Sequence, residues 1–303
     1  MKYIVLFQKT PVLKNHLFHG RQYQDKDVHS KGRFFMIQAM WTAASGMKAM
    51  QFSVDTIANN LSNVSTTGYK KERPEFEDLL YVTLQKAIAP GEQDTGRPVN
   101  LQVGHGVLPR STARDFTMGN LEQTGNKLDM AVEGEAFFAV QLPDGSVSYT
   151  RDGSFKLSIT ANGNILSTAR GYPVLDRDGI PISITQPLTD MEFQESGEVT
   201  YRDETGLSLP TGQYVGLFKF QNPQGLEAIG GNLFNLNSAT GAAIADTEIG
   251  KASVIRSGYL ESSNVAIVEE MVRMITSQRA YELNSKAIST ADDMMQTANA
   301  IKR

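Results

Sequence analysis

The chain has 303 residues, 40% of them apolar and 20% charged, with a formal net charge of −4. It is too long and too apolar to stay disordered, and it lacks the basic balance that an obligate nucleic-acid binder needs to neutralise phosphates. Without cysteine there is no disulfide framework, thiol catalysis, iron–sulfur cluster or cysteine zinc site, and no apolar run approaches the roughly 20 residues of a membrane-spanning helix.

Residues 1–35 differ from the rest: they hold seven Lys/Arg against two Asp/Glu, and three of the four histidines, His16, His19 and His29. The apolar run at residues 3–7 stops at Gln8 and Lys9, short of the roughly 7–15-residue centre of a secretory signal. The segment has no helical periodicity and a strong pattern opens right after it. It is therefore expected to be a basic extension ahead of a true start at Met36; the rival reading is a tail that touches anionic lipid or a partner.

From Met40, steps of seven give Met40, Met47, Val54 and Leu61, and three residues further on Ala43, Met50, Ile57 and Val64. This a/d stripe predicts a helix of roughly 28 residues that cannot cover its own apolar face. Between the stripe residues stand small neutral ones such as Thr42, Ser45, Gln51, Ser53 and Thr56, suited to close packing on several sides. Asn, Ser, Thr and Gly crowd residues 59–68, so helicity should fail near Asn63. Residues 88–106, with Pro90, Gly91, Gly96, Pro98 and Gly104, are expected to be an extended connector and not core.

The period then changes to that of strands. Glycines at 145, 153, 163, 171 and 179 stand 8 to 10 residues apart, mostly after Asp or Asn, which is the rhythm of consecutive antiparallel hairpins. Strands are expected over 136–142, 147–150, 154–159, 164–168, 198–201 and 214–220. A second helix, capped by Asn264, runs without Gly or Pro to the end of the chain. It carries two apolar stripes: Ile267, Met271, Met274, Tyr281, Ile288 and Met295, and Val268, Val272, Ile275, Leu283, Ala287 and Met294. One partner cannot bury both.

The fold class expected is α+β: long N- and C-terminal helices pairing as a coiled-coil-like bundle around an all-β middle domain. The expected divisions are 1–35, the basic extension; 36–80, helix and loop; 81–108, connector; 109–258, β-rich domain; and 259–303, second helix. Catalytic groups are missing. After Met36 the only histidine is His105, no metalloprotease, phosphate-loop or dinucleotide motif occurs, and Asp144, Asp152, Asp176 and Asp178 are explained by the turn glycines beside them. No enzyme activity, metal or cofactor is expected. The rival classes are a carbohydrate-active β-domain enzyme, which needs a working carboxylate pair, and a surface-binding module, which needs a stable monomer.

Three motifs carry a resemblance. The first is Met40-Trp-Thr-Ala-Ala-Ser-Gly-Met47 with the run at residues 57–70, in which Asn60, Leu61, Ser62, Asn63, Gly68, Tyr69 and Lys70 stand out. The second comprises residues 119–126 and 128–138 and Tyr149-Thr-Arg-Asp-Gly-Ser-Phe155. The third is residues 258–265, then Glu269-Glu-Met-Val272 and residues 278–286, opening with Gln278, Arg279, Ala280 and Tyr281. In this order they resemble the bacterial flagellar basal-body rod protein family, closest to its distal-rod branch, with the hook and proximal-rod branches as alternatives.

The resemblance implies a structural subunit that polymerises into a helical tube and transmits torque from motor to hook. It implies a place in the extracytoplasmic basal body, reached by type III export without a cleaved signal peptide. The implied partners are further copies of the chain, other rod and hook proteins, the export apparatus and the rings around the rod, with no nucleic acid and no membrane insertion. Subunit packing is expected at Met40, Met47, Met50, Val54, Ile57, Leu61, Val64, Val268, Met271, Val272, Ile275, Tyr281, Ile288 and Met295.

Overall fold

A computed structural model describes residues 22–87, 99–160, 163–185, 187, 190–203, 207–246 and 253–301. Helix α1 spans Gln22–Ser62, helix α2 spans Ile267–Ile301, and short strands lie between them, an α+β architecture. Of the expected basic extension, residues 1–21 lie outside the described residues. The helical backbone is already under way at Gln22 and does not wait for Met36. Between Gln22 and Met36 the sequence has one glycine and no proline, so nothing stops the helix from growing back from its nucleated centre.

Helix α1 ends at Ser62, where its Asn- and Ser-rich sequence predicts, and the Asn63 N–H bonds to the Asn59 carbonyl at 3.2 Å. Gly68 follows at φ +66°, and a Cβ there would lie 2.6 Å from the Asp152 backbone nitrogen. Glycine is required twice over, for conformation and for close approach.

The chain divides into two compact units. Of the described residues, one unit contains 22–47, 78–87, 99–107 and 281–301. In it the strands Tyr81–Gln85 and Leu101–Gly104 pair antiparallel, with Val82 opposite Val103. The expected connector thus ends in a paired strand, because Tyr81, Val82 and Thr83 offer a β-forming partner. Its residues 88–98 lie outside the described residues.

The other unit contains residues 48–77 and 108–280. Its largest sheet has six strands, in the order Glu227–Gly230, Leu233–Asn235, Val147–Thr150, Phe137–Gln141, Leu217–Lys219 and Ile244–Ala245. The strand expected over 214–220 splits. Ser208–Tyr214 pairs with Glu198–Arg202, Val215 and Gly216 cross over by bonding to the Gly197 and Leu175 carbonyls, and Leu217–Lys219 joins the large sheet. Gly153 serves a different purpose from the turn glycines: a Cβ there would collide with the Met130 carbonyl oxygen, so it lets two backbones pass.

One core cluster includes Phe138, Phe155, Leu166, Val174, Val199 and Ile255. A second is aromatic, with Phe137 edge-on or tilted against Phe116, Phe220 and Phe234 at 5.3, 5.3 and 6.1 Å. Full burial of each such ring contributes about 2–3 kcal/mol. Neither cluster contains a residue of α1 or α2. The β core is closed without the helices' apolar stripes.

Candidate functional site

Between Ile37 and Ser62 the buried positions of α1 are Gln38, Ala43, Ala49, Ser53, Thr56, Ile57 and Asn60. Only Ala43 and Ile57 belong to the predicted apolar stripe; Met40, Met47, Met50, Val54, Leu61 and Val64 are half-buried. The face that α1 buries is therefore mainly small and polar. In the β-rich unit this face meets the start of α2: Asn60 Nδ2 donates to Glu270 Oε2 at 3.3 Å, and a cleft of about 190 Å³ separates Ser53 and Ile57 from Arg273 and Ser277. In the other unit a Cβ on Gly46 would lie 2.8 Å from Asn284 Nδ2. Small residues at such contacts let helix axes come close.

On α2, Glu270 and Ala291 are buried, and Met274, Ser277, Ala280, Asn284, Ile288 and Met295 are half-buried. All of these but Ala280 follow one heptad seam. Of the first predicted stripe, Met274, Ile288 and Met295 lie on that seam, whereas Ile267, Met271 and Tyr281 are exposed. The second stripe is bare throughout: Val268 is 75% exposed, Leu283 66%, Val272 56% and Ile275 54%.

Three of the family-motif residues, Asn60, Tyr69 and Lys70, come together at the end of α1 within the β-rich unit. The Asn60 side chain donates to the Glu72 carbonyl at 2.8 Å and accepts from the Glu72 N–H at 2.9 Å and the Tyr69 hydroxyl at 3.1 Å. Burial pushes the Tyr69 phenol above its ordinary value, so it remains a donor at neutral pH. The Lys70 ammonium, 1% exposed, bonds to Glu261 Oε1 at 2.6 Å and to the Thr117 carbonyl at 2.7 Å. Glu261 Oε1 also accepts the Gly119 N–H, and Oε2 faces the Arg151 guanidinium at 3.5 Å. Arg151 donates in turn to the carbonyls of Val132 and Gly134 and lies over the Phe137 ring. Burial lowers the affinity of both Lys70 and Arg151 for their protons, with Glu261 pulling the other way.

Asn264 does not cap α2, which begins three residues later. Its side chain instead accepts the Lys71 N–H and donates to the carbonyls of Asp115 and Thr117, since the chain arriving from α1 presents a free backbone donor there. Sequence reasoning missed the roles of Glu261 and Arg151. Both lie inside the quoted motifs, yet no spacing rule announces that Glu261 meets Lys70, 191 positions away. Of the remaining motif residues, Gly68 is buried on the Arg151–Asp152 backbone, Asn63 is half-buried, and Ser62, Gln278 and Arg279 are exposed. Among the described residues no cluster of three or more His, Cys, Asp or Glu could hold a metal, and no helix is long and apolar enough to cross a membrane. The site is a joint between segments and a set of bare helix faces.

Known families match in three places. Residues 40–70 match "Flagella basal body rod protein", residues 131–201 "Flagellar hook protein FlgE/F/G D1 domain", and residues 256–301 "Flagellar basal body rod FlgEFG protein C-terminal". The flagellar basal-body rod protein FlgG of Borreliella burgdorferi is 47% identical over 270 residues, 88% of this chain and all of the relative. Its counterpart in Caulobacter vibrioides is 41% identical over 269 residues and that in Bacillus subtilis 34% over 270, again 88% of this chain and all of each relative. The chain belongs to the flagellar basal-body rod protein family.

Proposed function

We propose that this chain is a structural subunit of the distal part of the bacterial flagellar rod, polymerising with its own copies into a helical tube that carries torque from motor to hook. The observation that carries this reading is the bare apolar stripe Val268, Val272, Ile275, Leu283 and Met294, beside a β core that is already complete. Side chains of this size are each worth about 1.5–3 kcal/mol when fully buried, so stacking copies gains what the single chain forgoes. A contact between different faces of successive copies that does not close on itself generates a helix.

The pairing of α1 with α2 as an antiparallel coiled-coil-like unit belongs to the same reading. Within the β-rich unit Asn60 meets Glu270 while Ser53 and Ile57 face Arg273 and Ser277 across a cleft, so the two helices run in opposite senses there. Neighbouring rod and hook proteins and the type III export apparatus are the other partners of such a subunit, and its action is mechanical, with no catalytic step. Electron microscopy of basal bodies from a strain lacking the gene tests this directly. The expected shaft is truncated and regains full length when the gene is restored; intact rods in the deletion strain would refute the assignment.

A further inference from the structure

The strongest unexplained feature is the buried charge cluster of the β-rich unit. Lys70, Arg151 and Glu261 have side chains no more than 1% exposed and belong to three separate segments: the turn after α1, the strand-rich core, and the stretch before α2. Two cations share one carboxylate. Removing the Glu261 segment leaves both cations in apolar surroundings without their carboxylate, and removing the Lys70 segment leaves buried Glu261 Oε1 with the Gly119 N–H as its one remaining donor among the described residues; both are costly where water cannot enter. The network is also incomplete: among the described residues, Arg151 Nε and Glu261 Oε2 make no hydrogen bond.

Three hydrogen bonds donated by backbone N–H groups run in parallel with it. The Gly68 N–H donates to the Glu261 carbonyl at 2.8 Å, the Lys71 N–H to Asn264 Oδ1 at 2.8 Å, and the Ser262 N–H to the Asn120 carbonyl at 2.8 Å. Each joins one of these segments to another. We propose that Lys70, Glu261 and Arg151 form a charge latch through which the root of α1 (residues 60–72) and the root of α2 (residues 261–270) gain order only together, as one cooperative unit. The latch makes a half-ordered state, with one root seated and the other free, the least favourable arrangement. It goes beyond the proposed rod function, and its test requires no assembly.

Amide hydrogen exchange on the purified full chain reads it. In Lys70→Met, altered only on the α1 side, exchange should accelerate by similar factors, about a hundredfold, at Gly68, Lys71 and Glu72 and also at Gly119 and Ser262 on the other side. The Phe138 amide, in the six-stranded sheet, should keep its protection and so report an intact core. Glu261→Gln, altered from the opposite side, should accelerate the same amides. Acceleration confined to Gly68, Lys71 and Glu72 in Lys70→Met, or no acceleration at Ser262, would overturn the latch. Should Glu261→Gln fail to fold, Lys70→Met decides alone, because it leaves the Arg151–Glu261 pair charge-balanced.

Discussion

Two asparagine side chains, buried Asn60 and half-buried Asn264, tie together segments remote in sequence. Asn60 satisfies both backbone groups of Glu72 and touches Glu270, and Asn264 holds Lys71, Asp115 and Thr117. The crowding of Asn, Ser and Thr after α1 was legible as a helix stop. That these side chains also act as cross-braces was not, because their partners are remote in sequence. Asp246 offers a titratable case. Burial pushes its carboxyl up, but the Ser253 N–H at 2.7 Å and the Lys219 ammonium at 2.9 Å outweigh it and hold the pKa below the ordinary 3.8. The unfolded chain therefore takes up the proton first as pH falls below about 4, so the stability this carboxylate provides at neutral pH drains away through that range. Urea titrations at successive acid pH values should show stability falling with pH in the wild type and a shallower fall in Asp246→Asn; identical slopes would show that Asp246 contributes nothing.

At the scale of elements, the heptad pattern predicted both helices and the two-faced character of α2. It did not predict which face of α1 turns inward. Apolarity pointed to the methionine stripe, but the chain buries mainly Ala49, Ser53, Thr56 and Asn60 instead. Close approach and hydrogen bonding to Glu270 favour small polar residues on that side, and neither effect scores in a count of apolar positions. A contrast between two positions of α1 follows. Ala49→Leu forces a bulky side chain into a fully buried position and should destabilise the helix packing by about 1–3 kcal/mol. Val54→Leu, on the half-buried stripe, should cost about 0.5 kcal/mol or less. Urea midpoints followed by helical circular dichroism would separate the two; equal effects would mean that Ala49 is not tightly packed. The strand positions were readable from Asp-Gly and Asn-Gly spacing. Gly153 broke the rule because a carbonyl of a neighbouring segment passes over it.

At the scale of the whole molecule, a finished β core coexists with two helices whose apolar residues are only partly used. A chain that folded for its own sake would not leave Val268, Val272, Ile275 and Leu283 more than half exposed. The family motifs identified the kind of protein from sequence, since three long segments matched in order, but not the faces through which copies meet. That division of labour predicts that substitutions on the outer face of α2 separate folding from assembly. The most direct measurement is on Val272→Glu/Ile275→Glu, expressed in a strain lacking the native gene. The purified variant should keep the wild-type urea midpoint of its β-rich unit while basal bodies seen by electron microscopy carry truncated rods. Full-length rods built from that variant would contradict the claim that this face holds the copies together.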